Sequence, residues 1–131
     1  MSVFVDTSAL YALLDADDAS HTAAAKAFRA LASREDLVTH SYVAVETIAL
    51  TRRRLGREAV RAFARDLAPL LGMVWVDERL HDLALATLLD VLPTDVSLVD
   101  LVSFQVMREQ DIARAFAFDR DFRTAGFSTI P

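Results

Sequence analysis

A chain of 131 residues with 53% hydrophobic side chains and only 3 glycines and 3 prolines has the material for one packed domain spanning residues 1–131, which excludes a disordered or linker-rich protein. The absence of cysteine excludes disulfides, thiol catalysis and thiolate metal sites, and the longest uncharged run, the ten residues Leu67 to Val76, falls short of the roughly 18 that span a bilayer. A formal net charge of −5 excludes a protein that coats nucleic acid by charge alone, but not an enzyme that acts on it, because acids gathered into one metal site inflate the negative count.

In chain order, Val3-Phe4-Val5 reads as a buried strand that stops on Asp6, followed by two hydroxyl residues, Thr7 and Ser8. No Lys or Arg precedes this run and Asp6 interrupts it, so no signal peptide is expected and the cytoplasm is the expected location. A short helix is predicted over Ser8 to Leu14, an acidic loop over 15–18, and a second helix over Ser20 to Leu31, where Ala24, Ala27, Phe28 and Leu31 keep helical spacing. Leu37-Val38-Thr39 is a short strand. The run from Ser41 has strand-like propensity, but its length, its arginine-rich end and Gly56 favour a helix with a glycine cap.

Arg57 to Leu67 is predicted as a helix ending near Pro69. Met73 to Val76 reads as a second buried strand ending on Asp77. Helices over His81 to Leu92 and Ser97 to Glu109 flank a turn at Pro93-Thr94-Asp95. Ala115 to Phe118 is a third buried strand, ending on Asp119, and Ser128 to Ile130 an edge strand. Strands separated by helices imply an α/β fold: a mostly parallel, twisted sheet of four to five strands with helices on both faces.

In such sheets ligands sit outside the carboxyl ends of the strands, which places Asp6 where chemistry is usually done. Asp77 reads as a helix cap, while Asp121 can cap the next turn and leave Asp119 free. Asp100, three residues after Ser97, reads either as half of a capping box or as a functional carboxylate at the start of an apolar helix. Glu46 is surrounded at helical spacing by Tyr42, Val43, Ala49 and Leu50, where a buried carboxylate is costly unless paired or metal-bound. Four carboxylates, Asp6, Glu46, Asp100 and Asp119, brought together would repel one another unless a divalent cation joined them, and all-oxygen ligation selects Mg²⁺ or Mn²⁺. His21, His40 and His81 fall on separate elements, against a histidine base or zinc site. Arg57, Arg61 and Arg65 form a helical stripe that suits RNA phosphates or simply a solvated face.

Val-Phe-Val-Asp6-Thr7-Ser8, Asp18-Ala-Ser-His21, Glu46, Ser97-Leu-Val-Asp100 and Phe116-Ala-Phe-Asp119-Arg-Asp121-Phe, in this order along essentially the whole chain, resemble a PIN domain, and most of all the VapC-type toxin ribonucleases of toxin–antitoxin pairs. The resemblance implies Mg²⁺- or Mn²⁺-dependent endonucleolytic cleavage of RNA, a homodimer, and inhibition by a cognate antitoxin protein. It casts Asp6, Glu46, Asp100 and Asp119 as catalytic metal ligands, with Thr7 or Ser8 orienting a ligand or water and Asp95 and Asp121 as outer-shell groups. The alternatives are a PIN nuclease in RNA processing that is not a toxin, and a catalytically silent metal- or RNA-binding module.

Overall fold

In the computed structural model, which describes residues 1–90 and 95–131, the opening apolar run forms β1 (Ser2–Val5), with Val3, Phe4 and Val5 wholly buried. A strand apolar on both sides is stable only where both sheet faces are covered. β1 pairs in parallel with β2 (Asp36–His40) on one side and β4 (Arg114–Phe116) on the other, with Val3 opposite Leu37 and Val5 opposite Phe116. β3 (Gly72–Val74) and β5 (Ser128–Ile130) close the two edges, giving the parallel five-stranded order β3-β2-β1-β4-β5.

Each parallel step needs a crossover, and helices supply them. α1 (Thr7–Leu14) and α2 (His21–Ala32) link β1 to β2, α3 (Ser41–Leu55) and α4 (Arg57–Ala62) link β2 to β3, α5 (Glu78–Asp90) and α6 (Leu98–Glu109) precede β4, and α7 (Asp121–Thr124) precedes β5. The α/β class and the flanked parallel sheet expected from the sequence are the observed architecture. Phe4, Leu10, Val43, Met107 and Phe116 fill the core, and the Phe122 ring lies 6.0 Å from that of Phe4 and edge-on to Phe104 at 5.1 Å.

Three elements depart from expectation. The run at 73–76 is not a buried strand: β3 ends at Val74, Met73 and Val74 are half-buried, and Trp75 is 76% exposed. It lies on the sheet edge, and four consecutive apolar residues read alike for an edge strand and a central one. The helix from Arg57 closes at Ala62 and continues as a wider π turn, Phe63–Leu67, and a 3₁₀ turn, Ala68–Leu70. Pro69 lacks the N–H and the clearance that an α-helix needs, and the Ala68 N–H donates instead to the Phe63 carbonyl, five residues back. The third strand stops at Phe116 rather than Phe118, although the Ala117 N–H still donates to the Ile130 carbonyl at 3.2 Å. Asp77 caps α5 as expected, its carboxylate accepting from the Leu80 N–H at 2.9 Å. Pro93 and Thr94 of the predicted turn, and Val91 and Leu92 of the predicted helix end, lie outside the described residues.

α3 forms as a helix for local reasons at both ends. Gly56, at φ 92°, holds a backbone conformation that favours glycine, and its N–H donates to the Thr51 and Arg52 carbonyls. At the other end His40, wholly buried, replaces the usual serine or threonine cap: its Nδ1 accepts from the N–H groups of Tyr42 and Val43. Nδ1 is therefore the unprotonated nitrogen, so Nε2–H donates to the Ser103 hydroxyl at 2.8 Å, which donates in turn to the Val99 carbonyl at 3.0 Å. This chain ties the start of α3 to α6.

Burial holds the His40 pKa down, from 6.5 to about 4. Between those values the unfolded chain binds the extra proton, so stability falls on acidification. Relative to His40→Asn, which keeps a capping acceptor without the titration, the wild type is expected to lose about 3 kcal/mol of unfolding free energy between pH 7 and pH 4, measured by denaturant titration.

Candidate active site

The strand order reverses between β1 and β4, and in parallel sheets the crevice beyond such a reversal is open for ligands. Asp6 is the first residue past β1. Its N–H donates to the Phe116 carbonyl at 3.1 Å, and its carboxylate caps α1. Oδ2 accepts from the Ser8 N–H at 3.1 Å and the Ser8 hydroxyl at 2.7 Å. Ser8 Oγ also accepts from the Phe118 N–H at 3.0 Å, so one hydroxyl stitches the segment after β1 to the segment after β4. Of the two hydroxyls singled out in the sequence, Ser8 is the one bonded to a site carboxylate. Thr7 is buried in the α1–α3 packing, donating towards the Val43 carbonyl at 3.5 Å and accepting from Thr47 at 3.2 Å.

Asp6 is only 4% exposed, and burial pushes its carboxyl up to about 6. The two Ser8 hydrogen bonds oppose the rise, while the charges of Glu46 and Asp119 add to it. Asp100, in the first turn of α6, is pushed up to about 7, first by desolvation and then by the charges of Asp6 and Asp119. It is also half of a capping box: its N–H donates to Ser97 Oγ at 3.1 Å and its Oδ2 accepts from the Ser97 N–H at 3.5 Å. The capping-box reading of Asp100 from the sequence holds, and the box orients the carboxylate without exhausting its lone pairs.

Beyond β4 the turn-capping bond expected of Asp121 is made by Asp119, its Oδ1 accepting from the Asp121 N–H at 2.9 Å. Asp121 opens α7 and turns inward, so that oxygens of Asp100, Asp119 and Asp121 lie within 4.8 Å of one another. Desolvation, then the charge and hydrogen bonding of Asp119, raise the Asp121 pKa, and Asp95 adds a weaker repulsion. An Asp-x-Asp spacing after a core strand is the signal that marks Asp121.

Glu46 is exposed, contrary to the expectation of a carboxylate buried in an apolar helix. Val43, Thr47 and Thr51 carry the buried face of α3, whereas Val45, Ile48 and Ala49 share solvent with Glu46. Its neighbours are apolar without enclosing it. Glu46 remains within electrostatic reach of Asp6, at the open side of the group.

Around this crevice the fold thus gathers Asp6, Asp100, Asp119 and Asp121, with Glu46 at the rim. No histidine joins them: His40 is committed to α3 and Ser103, His21 to the Ala12 carbonyl at 2.7 Å, and His81 to the Tyr42 hydroxyl at 2.6 Å. An oxygen-only set of mutually repelling carboxylates, two of them with strongly raised pKa values, has the chemistry of a site for a hard divalent cation.

The PIN domain family profile matches residues 3–128. The chain is 40% identical over 130 residues to a protein of Mycobacterium tuberculosis described as the 23S rRNA-specific endonuclease VapC20, the match covering 98% of this chain and 97% of the relative, with the same values in two strains. The crystal structure of Mycobacterium tuberculosis VapC20, described as a sarcin-ricin loop cleaving toxin, superposes with a TM-score of 0.87 at 36% identity and 95% coverage of each chain. A chain of VapBC2 from Rickettsia felis, solved with a fragment of promoter DNA, shares the fold at a TM-score of 0.70 and 10% identity over 98% of this chain and 97% of that one.

Proposed function

The chain belongs to the PIN domain family, among its VapC-type members, and from this premise we propose that it is a metal-dependent endoribonuclease, one nuclease domain acting as the toxin of a toxin–antitoxin pair. The observation that carries the reading is the convergence of Asp100, Asp119 and Asp121 beside Asp6 at the strand-order reversal. Asp6, Asp100 and Asp119, with Glu46 directly or through water, would hold Mg²⁺ or Mn²⁺, and Asp121 would complete the acidic wall. A cation bound there supplies charge neutralisation for the phosphate oxygens and lowers the pKa of a bound water.

The chain's own groups do the rest. Ser8 fixes the Asp6 carboxylate, and the Ser97 box fixes Asp100. Without a cation, burial and neighbouring charge hold Asp6 and Asp100 at about 6 and about 7, and a bound cation would favour their ionised forms. Hydrolysis of this kind would add the water oxygen to phosphorus as the P–O3′ bond breaks and deliver one water proton to O3′, so that the ends are a 5′-phosphate and a 3′-hydroxyl.

No helix among the described residues is long and apolar enough to cross a membrane, which agrees with a toxin acting in the cytoplasm. A cognate antitoxin and a second copy of the chain are the proposed protein partners. Their support is the apolar side chains left in solvent, Val45, Ile48 and Leu55 on α3 and Leu83, Leu88 and Leu89 on α5.

The test is incubation of purified protein with 23S rRNA, the substrate in the relative's description, in Mg²⁺, in Mn²⁺ and in excess chelator. Discrete cuts with 5′-phosphate ends are expected with either metal and none with chelator. Cutting that survives chelation, or no cutting of any RNA, overturns the reading.

A further inference from the structure

An acidic protein with an acidic catalytic crevice repels RNA unless another surface attracts it. Between positions 52 and 61 the chain carries five arginines and one glutamate, against a net charge of −5 for the whole molecule. The structure folds this segment into an elbow: α3 ends at Leu55, Gly56 turns the chain, and α4 starts at Arg57. Arg52, Arg57 and Arg61 line an open cleft of about 500 Å³ in its bend, together with Gly56 and Glu58. Glu58 pairs with Arg61. Among the described residues Arg52, Arg53 and Arg57 make no ion pair, whereas Arg79 and Arg114 elsewhere are tied to Glu109 and Glu35. Arg54 lies over the Tyr11 ring at 5.4 Å and extends the positive surface towards α1.

The elbow is aligned with the catalytic group. Glu46 and Arg53 are seven residues apart on α3, hence on one helix face, about 10 Å apart along the axis. We propose that the α3–α4 elbow is a second RNA contact, in which Arg52, Arg53 and Arg57 grip backbone phosphates a few nucleotides from the bond being cut. The inference rests on the ribonuclease reading and adds to it a place and a direction: the strand leaves the carboxylate crevice along α3. Guanidinium forks suit phosphate oxygens, and the contact is blind to base identity, so it contributes affinity and register rather than sequence choice.

The test is binding of a fluorescent 12-nucleotide single-stranded RNA, by anisotropy in chelator at several salt concentrations. The wild type is compared with Arg52→Gln/Arg57→Gln and with Lys26→Gln/Arg29→Gln, which removes equal charge from the exposed face of α2. For the elbow variant a loss of about tenfold in affinity for the 12-mer is expected, with a salt slope shallower by about 1.4. The α2 variant and both melting temperatures stay near wild type. Equal losses in the two variants, an unchanged salt slope, or weakened binding of a glutamate 12-mer but not of RNA would each overturn the elbow. The metal-dependent cutting assay decides separately whether the nuclease reading stands, since a short RNA is still cut if only the elbow is wrong.

Discussion

Asp6→Asn is expected to yield a protein that is more stable than the wild type and cuts RNA at less than about one hundredth of its rate. Loss of a group that merely supports a metal ligand costs 10- to 100-fold in many metal sites, so loss of a proposed ligand costs at least about that much. The stability change runs the other way because the folded protein holds Asp6 at about 6 against an ordinary 3.8, so ionisation in the fold is penalised by about 3 kcal/mol at pH 8. Asparagine keeps the shape and the capping acceptor for the Ser8 N–H without the charge. A gain of about 1–3 kcal/mol is expected for the metal-free variant at pH 8. Above the folded pKa the wild type bears the full penalty; as pH falls from 6 to about 4 the gain disappears. Thermal melts at three pH values in chelator, beside single-turnover cleavage, check both halves. A variant that is both inactive and less stable at pH 8 would show Asp6 to be a structural cap.

Apparent affinity for Mn²⁺ is expected to fall about 1000-fold from pH 8 to pH 5. Cations bind the ionised carboxylates, and with Asp6 at about 6 and Asp100 at about 7 the protons compete roughly tenfold at one site and a hundredfold at the other at pH 5, and hardly at pH 8. Calorimetry in two buffers of different ionisation enthalpy reads the affinity together with the protons released, close to one near pH 6.5 and few at pH 8. In Asp100→Asn the pH dependence is expected to shrink to about tenfold over the same range. An affinity flat between pH 5 and pH 8 would place the cation away from both residues.

The frame of this protein was legible because its strongest signals are local. Val3 to Val5 read as a strand covered on both faces, the arginine-rich run before Gly56 favoured a helix closed by that glycine, and alternation of strands with helices implied a parallel sheet. What escaped depends on neighbours brought from far along the chain. Whether Met73 to Val76 is central or marginal depends on how many strands pair beside it, and Trp75 shows in its exposure that β3 has one neighbour. Glu46 has apolar neighbours in sequence, but burial is decided by what packs on α3, and nothing among the described residues covers that face. That Asp119 rather than Asp121 makes the turn-capping bond depends on which carboxylate reaches one N–H, a matter of ångströms that residue type does not encode. His40 as a helix cap was hidden for a related reason: histidine is an uncommon cap, and the partner that takes its other ring nitrogen, Ser103, stands 63 positions along.

The Ser8–Phe118 hydrogen bond joins points 110 residues apart. During synthesis the ribosome delivers Asp6, Glu46 and Asp100 well before β4 exists to seat Asp119 and Asp121 beside them, and parallel pairing across so long a separation forms slowly. A nascent chain therefore carries most of its acidic residues but no assembled centre. The order of strands thus acts as a delay: the centre is assembled only after β4 has been made and has paired with β1.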